Sequence, residues 1–309
     1  MRSPGLHRPI MVEETIGCLR PRPGDLAVDC TLGAGGHARA LLERVLPGGR
    51  LIGLDIDRVE LARTEAQLRG EGFGPDVFVA RAANFSSLAG ALAAEPRAVA
   101  NVILADLGVS SMQLDTPNRG FSWKGVGPLD MRMDQGQAES AAQLIGRSSE
   151  AELAALLVEN ADEPHAALIA RLLKEQPSDT THAVAQRVRL GLSHACPDLP
   201  RAAVKMSTRR TFQALRVAVN REFSNLEALL EALPRCLAPG GRVAIITFHS
   251  GEDRRVKKAF RTGLRAGIYS SIATKVVRSS RDETFSNRRA AAAKLRWAER
   301  ASSAGRDPA

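Results

Sequence analysis

Five short apolar runs recur along the chain, at residues 26–31, 50–57, 77–80, 101–108 and 242–248, each bounded by glycine, proline or charge. Runs of this length, rich in leucine and β-branched residues, predict buried strands of a parallel sheet. Between the first four lie stretches with helical spacing, such as 58–69, where Leu61 and Leu68 share an apolar side. Strand and helix in alternation predict an α/β fold with a doubly wound sheet.

The interval between the fourth and fifth runs is about 130 residues, far longer than one crossover helix. Its first part, 109–137, is rich in Gly, Ser, Pro and Met and reads as ordered loop. Composition then shifts to Ala, Leu and Glu. Ser149-x-x-Glu152 is a capping box that predicts a helix with Leu153, Leu156 and Leu157 on one face. Pro164 ahead of Ile169, Leu172 and Leu173 predicts a second helix, and Thr181 caps a third through Val188. Residues 116–205 therefore read as an inserted helical domain, with 1–115 and 206–309 forming a discontinuous α/β domain.

A further helix is predicted over 207–220. Phe212, Leu215 and Val219 form its apolar face, and Arg209, Gln213, Arg216 and Asn220 its polar one. It is expected to dock on the sheet, and its acid-free polar face suits RNA or a buried polar network. Leu226, Leu229, Leu230 and Leu233 continue the helical pattern to Pro239-Gly240-Gly241, which turns the chain into the fifth strand.

Composition adds four constraints. A chain of 309 residues with 44% hydrophobic and 25% charged residues is ordinary for a globular protein. No run approaches a membrane span, and the start has no apolar leader core, so a cytoplasmic protein without membrane contact is expected. Cys18, Cys30, Cys196 and Cys236 are scattered without metal-ligand spacing, and so are the six histidines, so no metal is expected. The net charge of +9 is uneven: residues 251–309 hold 15 Lys/Arg against 6 Asp/Glu, while the preceding residues balance. That basic C-terminal segment points to nucleic acid, the alternative being a solvated or disordered tail.

The strongest chemical signal is Asp29-x-Thr31-x-Gly33-x-Gly35-Gly36-His37, where the first strand meets a glycine-rich turn, with Asp55 closing the second strand. Such a turn lets backbone approach a nucleoside cofactor at the carboxyl ends of a parallel sheet, and the acid takes ribose hydroxyls. Gly33-x-Gly35-x-x-Ala38 also meets a loose dinucleotide fingerprint, so the turn alone leaves NAD open. Asn84-Phe85 after the third strand suits adenine, Asp106 leaves the fourth strand beside the same cleft, and His249 ends the fifth. For a nucleic-acid partner, Phe121 and Trp123 are the nearest candidate stacking aromatics.

With these residues assembled, the chain resembles the bacterial small-subunit ribosomal RNA cytosine-N4 methyltransferases over about residues 7–300. The carrying motifs are His7-x-Pro9, the glycine turn just quoted, and Asp106-Leu107-Gly108-Val109-Ser110-Ser111-x-Gln113-Leu114-Asp115. They continue with Arg119-Gly120-Phe121-Ser122, Gly127-Pro128-Leu129-Asp130-Met131-Arg132-Met133-Asp134, Phe212-Gln213-Ala214-Leu215-Arg216 and Phe248-His249-Ser250-x-Glu252-Asp253-Arg254.

The resemblance implies a class I methyltransferase fold with an inserted helical domain and S-adenosylmethionine as cofactor. It implies 16S ribosomal RNA of the small subunit as substrate, methylated on a cytosine amine of the decoding centre. It also implies that Gly35, Gly36, His37, Asp55, Phe85, Asp106 and Gln113 hold the cofactor. Asp106 is the candidate catalytic acceptor for the amine, with His249 as a neighbouring alternative. A divergent paralogue acting on another RNA or acceptor, an NAD-dependent dehydrogenase and a non-catalytic RNA-binding factor are the competing readings. The oligomeric state is open, a homodimer being one option.

Overall fold

The computed structural model describes residues 9–302 except Arg97. His7 of the N-terminal motif and residues 303–309 of the basic segment lie outside the described residues. Two compact units result, one comprising the chain up to Gly108 and again from Ser224, the other Val109–Phe223.

The first unit opens with α1 (Val12–Leu19), a helix the sequence reading does not contain. It continues β1 (Leu26–Asp29), α2 (Gly36–Val45), β2 (Arg50–Asp55), α3 (Arg58–Gly70), β3 (Phe78–Ala82), α4 (Leu88–Ala93) and β4 (Ala100–Asp106). The second unit holds α5 (Ser111–Asp115), α6 (Ala141–Arg147), α7 (Glu150–Ala161), α8 (Ala166–Glu175), α9 (Thr181–Ala195) and α10 (Arg201–Val219). Beyond it, α11 (Glu222–Cys236) leads into β5 (Leu237–Thr247), α12 (Ser250–Arg265), β6 (Tyr269–Ile272), α13 (Arg281–Ser286) and β7 (Lys294–Arg300).

The seven strands form one sheet in the order β3-β2-β1-β4-β5-β7-β6. The first five strands run parallel; β7 is antiparallel to both β5 and β6. Alternate residues of each strand feed opposite faces. Val28, Ile52, Ile103 and Ile245 pack with Leu92, Leu229, Leu233, Val256 and Phe260 on one side. Ala27, Leu51, Val102 and Ala244 pack with Leu19, Leu41, Leu42, Leu61 and Leu68 on the other. Burial on both faces explains why these strands read as continuous apolar runs. The fold is the class I methyltransferase fold expected.

The basic segment is largely folded, which corrects the alternative of a solvated tail. Its last strand mixes charged with apolar residues: Leu295, between Lys294 and Arg296, and Ala298, between Trp297 and Glu299, are fully buried. The charges find partners, Asp253 accepting Arg296 Nε at 2.6 Å and Lys294 Nζ at 3.2 Å. Part of the positive excess is thus consumed inside the sheet's edge.

In the second unit Leu153, Leu157, Ile169, Leu173, Val184, Val188, Phe212, Leu215 and Val219 share one core. The capping box forms as read: Ser149 Oγ accepts from Glu152 N at 3.2 Å, and Glu152 Oε2 accepts from Ser149 N at 2.7 Å. The third helix is capped one residue earlier than expected, by Thr180, whose Oγ1 accepts from Ala183 N at 3.3 Å. Thr181 instead is buried and donates to the Gly125 carbonyl at 2.9 Å. The apolar face of α10 enters this helical core, where docking on the sheet was expected, so the compact unit runs 109–223 against the 116–205 read from composition. Amphipathicity sets which face is buried but not which core receives it. Among the described residues no helix is long and apolar enough to cross a membrane.

Candidate active site

Three acids end three neighbouring strands: Asp55 on β2, Asp29 on β1 and Asp106 on β4. The strand order reverses between β1 and β4, where open α/β sheets bind ligands beyond their carboxyl ends. The turn after β1 is tied to all three acids. Asp29 Oδ1 accepts from Thr31 N at 3.1 Å, and Asp106 N donates to Thr31 Oγ1 at 2.7 Å. Asp55 Oδ2 accepts from Gly33 N and its Oδ1 from Asp57 N, both at 2.8 Å. Asp57 in turn caps α3, accepting from Val59 N and Glu60 N.

The glycines have specific causes. Gly35 sits at φ +77°, in the left-handed region, and a Cβ there would lie 2.7 Å from the Thr64 methyl. Thr64 holds the turn from its other side, its hydroxyl donating to the Gly33 carbonyl. At Gly36 a Cβ would lie 2.4 Å from Pro9 Cγ, so the proline of the N-terminal motif packs directly on the glycine turn. The first turn of α2 has no side-chain cap.

His37, on that first turn, is 7% exposed and lies with its Nε2 3.6 Å from Asp106 Oδ2. That distance is a charge contact rather than a hydrogen bond. Neither ring nitrogen has a hydrogen-bond partner, and neither do Asp29 Oδ2 and Asp106 Oδ1, all of them buried atoms. Burial pushes the Asp29 carboxyl up to about 6, against the opposing charge of His37. Burial alone would pull His37 down, but Asp106 and Asp29 outweigh it and raise its pKa. Asp55 is also raised by burial, opposed by the N–H groups of Asp57 and Gly33. Each unsatisfied buried polar atom costs about 1–3 kcal/mol, so a concentration of them at one strand end marks a place built for a ligand.

Phe85, half-buried, begins the turn after β3, and Asn84 caps that turn by accepting from Ser86 N at 2.9 Å. Gln113 belongs to the second unit, where it is buried and its Oε1 accepts from Ser110 N at 3.0 Å as half of a capping box. His249 precedes α12 with its Nε2 3.2 Å from Glu252 Oε1, while Glu252 Oε2 accepts from Phe248 N at 2.9 Å. It is held in place by Glu252. The expected stacking aromatics are occupied: Phe121 is buried in the helical core, and Arg189 lies 5.1 Å over the Trp123 ring. Thr64 was not singled out from sequence, and Thr31 and Pro9 stood only as members of the quoted motifs, without a role; a lone threonine or proline carries no signal of the group it will contact.

Comparison with known proteins follows the same lines. The sequence model of the MraW methylase family matches residues 5–301. The chain is 44% identical over 302 residues to ribosomal RNA small subunit methyltransferase H 2 of Alkaliphilus metalliredigens, covering 96% of this chain and 86% of that protein. It is 41% identical over 302 residues to ribosomal RNA small subunit methyltransferase H 1 of Lachnoclostridium phytofermentans, covering 96% and 82%. With ribosomal RNA small subunit methyltransferase H of Sorangium cellulosum it shares 42% identity over 294 residues, covering 95% and 90%.

Proposed function

The chain belongs to the MraW methylase family, and on that premise we propose that it methylates N4 of a cytosine in the decoding centre of 16S ribosomal RNA, using S-adenosylmethionine. The observation that carries the reading is the set of unpartnered buried atoms on Asp29, His37 and Asp106 at the carboxyl ends of β1 and β4. The relatives' activity on small-subunit ribosomal RNA gives the substrate class.

The residues present fit this cofactor. Each Asp55 oxygen uses one lone pair on a backbone N–H and keeps another for a ribose hydroxyl. Phe85 offers a half-buried ring for adenine, and the uncapped N–H groups of Gly36 and His37 begin α2. The carboxylates of Asp29 and Asp106 suit a ligand that carries positive charge. When bound, the cofactor supplies an electrophilic sulfonium methyl, which needs no metal.

The amine of cytosine is a poor nucleophile because its lone pair is delocalised into the ring. An acceptor aimed at its N–H raises electron density as the nitrogen loses planarity, and later takes the proton. Asp106 supplies that acceptor through its unpartnered Oδ1, while Oδ2 faces His37. His37, its pKa raised by Asp106 and Asp29 against the effect of burial, faces that carboxylate at 3.6 Å. His249, engaged by Glu252, is a positioning element at the start of α12.

The deciding experiment is transfer of labelled methyl from S-adenosylmethionine to small subunits lacking the modification, with mass spectrometry of the nucleosides. One N4-methylcytidine in the decoding centre is expected. Transfer to another RNA or acceptor would replace the target with the divergent-paralogue reading. Calorimetric binding of NAD in preference to S-adenosylmethionine would overturn the reaction itself.

A further inference from the structure

Phe285 is 92% exposed, and it is the one aromatic among the exposed large hydrophobic side chains of the described residues. Single exposed aliphatic residues are ordinary on protein surfaces. An aromatic ring almost wholly in water is less so when the segment around it is firmly built. Here it is. Ser280 Oγ caps α13 by accepting from Glu283 N at 3.1 Å, and Thr284 Oγ1 donates to the Ser280 carbonyl at 2.9 Å. Ser279 Oγ donates to the Ala290 carbonyl at 3.1 Å, and Asn287 Oδ1 accepts from Arg289 N at 3.1 Å. Val277, Ala290 and Ala293 supply the segment's apolar contacts with the sheet, and Phe285 takes no part in them.

The segment that carries the ring is rich in arginine. Arg281 stands four residues before Phe285 on α13, hence on the same side of the helix, and Arg278, Arg288 and Arg289 are exposed close by in sequence. Of the two acids in the segment, Glu283 is committed, its Oε1 accepting from Met11 N at 2.8 Å, which leaves Asp282 as the exposed one. An exposed aromatic ring bordered by arginines is the arrangement that stacks an unpaired base while the cations hold its phosphates.

Its place in the fold connects it to the candidate site. Glu283 anchors Met11, two residues from the Pro9 that packs on Gly36, and its charge is among those that favour protonated His37. The arginine-bordered ring is therefore carried by the same end of the sheet as Asp29, His37 and Asp106.

We propose that Phe285, with Arg281 and Arg288, forms a stacking platform for an unpaired nucleotide of the RNA substrate next to the target base. This rests on the proposed function for the identity of the RNA. A flipped target leaves its neighbours without a stacking partner, and a platform beside the cleft offers them one. Such a contact acts on substrate binding and leaves the chemical step alone.

The test uses the full chain and two independent readouts. In the first, methyl transfer to small subunits lacking the modification is followed for wild type, Phe285→Ala and Phe285→Trp. Phe285→Ala should raise KM about tenfold or more with kcat and affinity for S-adenosylmethionine unchanged, and Phe285→Trp should restore it. In the second, a single-stranded RNA oligonucleotide carrying 2-aminopurine should be quenched on stacking by wild type and by Phe285→Trp, but not by Phe285→Ala. Arg281→Ala and Arg288→Ala should flatten the salt dependence of that binding.

An unchanged KM in Phe285→Ala, or quenching that ignores the substitution or is absent in wild type, would overturn the platform. Self-association lost in Phe285→Ala, with RNA binding intact, would overturn it too and assign the face to a second copy of the chain. Quenching that depends on Phe285 in a protein that transfers no methyl to subunits would keep the platform and remove the proposed function.

Discussion

On α10 and at its C-terminal cap, Gln213, Arg216 and Asn220 are half-buried and all three are engaged. Gln213 Nε2 donates to the Asn160 carbonyl at 3.2 Å, and Arg216 forks onto Glu222 at 2.8 and 2.9 Å. Asn220 Nδ2 donates to the Met131 carbonyl at 2.8 Å, and its Oδ1 accepts from Met133 N at 2.8 Å. Near the ends of β1 and β4 stand three other polar side chains, Asp29, His37 and Asp106, of which four buried polar atoms have no hydrogen-bond partner. The first arrangement is complete as it stands: of the four polar residues read from sequence as suited to RNA or to a buried network, three form a network and Arg209 is exposed. The second costs stability in the folded chain, and a cost kept at the topological switch point of a parallel sheet is the mark of a binding site.

The largest effect that would break this contrast is at Asp106. Asp106→Asn keeps the size of the side chain and removes the charge proposed to accept the amine proton. Methyl transfer in single-turnover assays should fall about 10²–10³-fold, with little change in melting temperature. Near wild-type turnover would show that the unpartnered Oδ1 has no part in the chemistry.

Asp29 comes next, and its effect has a defined pH window. Its carboxyl titrates at about 6 in the fold against the usual 3.8, so the folded state holds a proton that the unfolded chain has released. The stability contributed is full below about pH 4 and is lost as the pH rises through about 6. His37, also raised, adds stability that disappears in the same direction as it deprotonates. Asp29→Asn keeps an acceptor for Thr31 N and abolishes the titration. It should stabilise the protein by up to about 3 kcal/mol at pH 8 and leave it unchanged at pH 4, read as melting temperature against pH. A flat difference between variant and wild type would show that Asp29 carries no burial cost.

Much of this was legible from residues alone, and the failures have physical causes. The five parallel strands show because burial on both faces makes each an unbroken apolar run, and the acids that end them follow from the pattern. β6 and β7 do not show, since Tyr269–Ile272 is short and Lys294–Arg300 hides Leu295 and Ala298 among charges that pair only in the folded sheet. α10 shows as an amphipathic helix, but its core partner is a property of the tertiary fold. Asp29, Asp55, Asp106, Gly35, Gly36 and His37 were named from the motif; that some would be satisfied and others not depends on distances no spacing encodes. Thr64 does not show at all and Pro9 shows only as a motif member for the same reason: each packs into the space a glycine leaves, Thr64 also donating to the Gly33 carbonyl.

On the satisfied side of the comparison, Asn220→Ala removes one side chain that serves three backbone groups: Met131 O, Met133 N and Arg216 O. Leaving them unpaired in a partly buried loop should cost about 2 kcal/mol. Thermal or urea unfolding would read it. A neutral result would mean that water replaces the amide, and the network would lose its claim to be structural.

The smallest effect discriminates most finely, because Gln213 is where the two readings of α10 diverge. If its polar face were an RNA surface, Gln213→Ala would leave stability alone and raise KM for the RNA. In the fold, Gln213 is half-buried and its amide donates to the Asn160 carbonyl, while Asn160 Nδ2 donates back to the Ala214 carbonyl at 3.3 Å. Removing the Gln213 amide therefore unpairs one carbonyl at the junction of α7 and α10 but leaves the return bond. The cost should be about 1 kcal/mol in unfolding free energy, with KM for small subunits unchanged. Gln213→Glu separates the outcomes further. A carboxylate cannot donate to the Asn160 carbonyl, so a structural role predicts a loss of stability at least as large as in the alanine variant. An RNA-facing role predicts instead a salt-sensitive rise in KM from repulsion of phosphate.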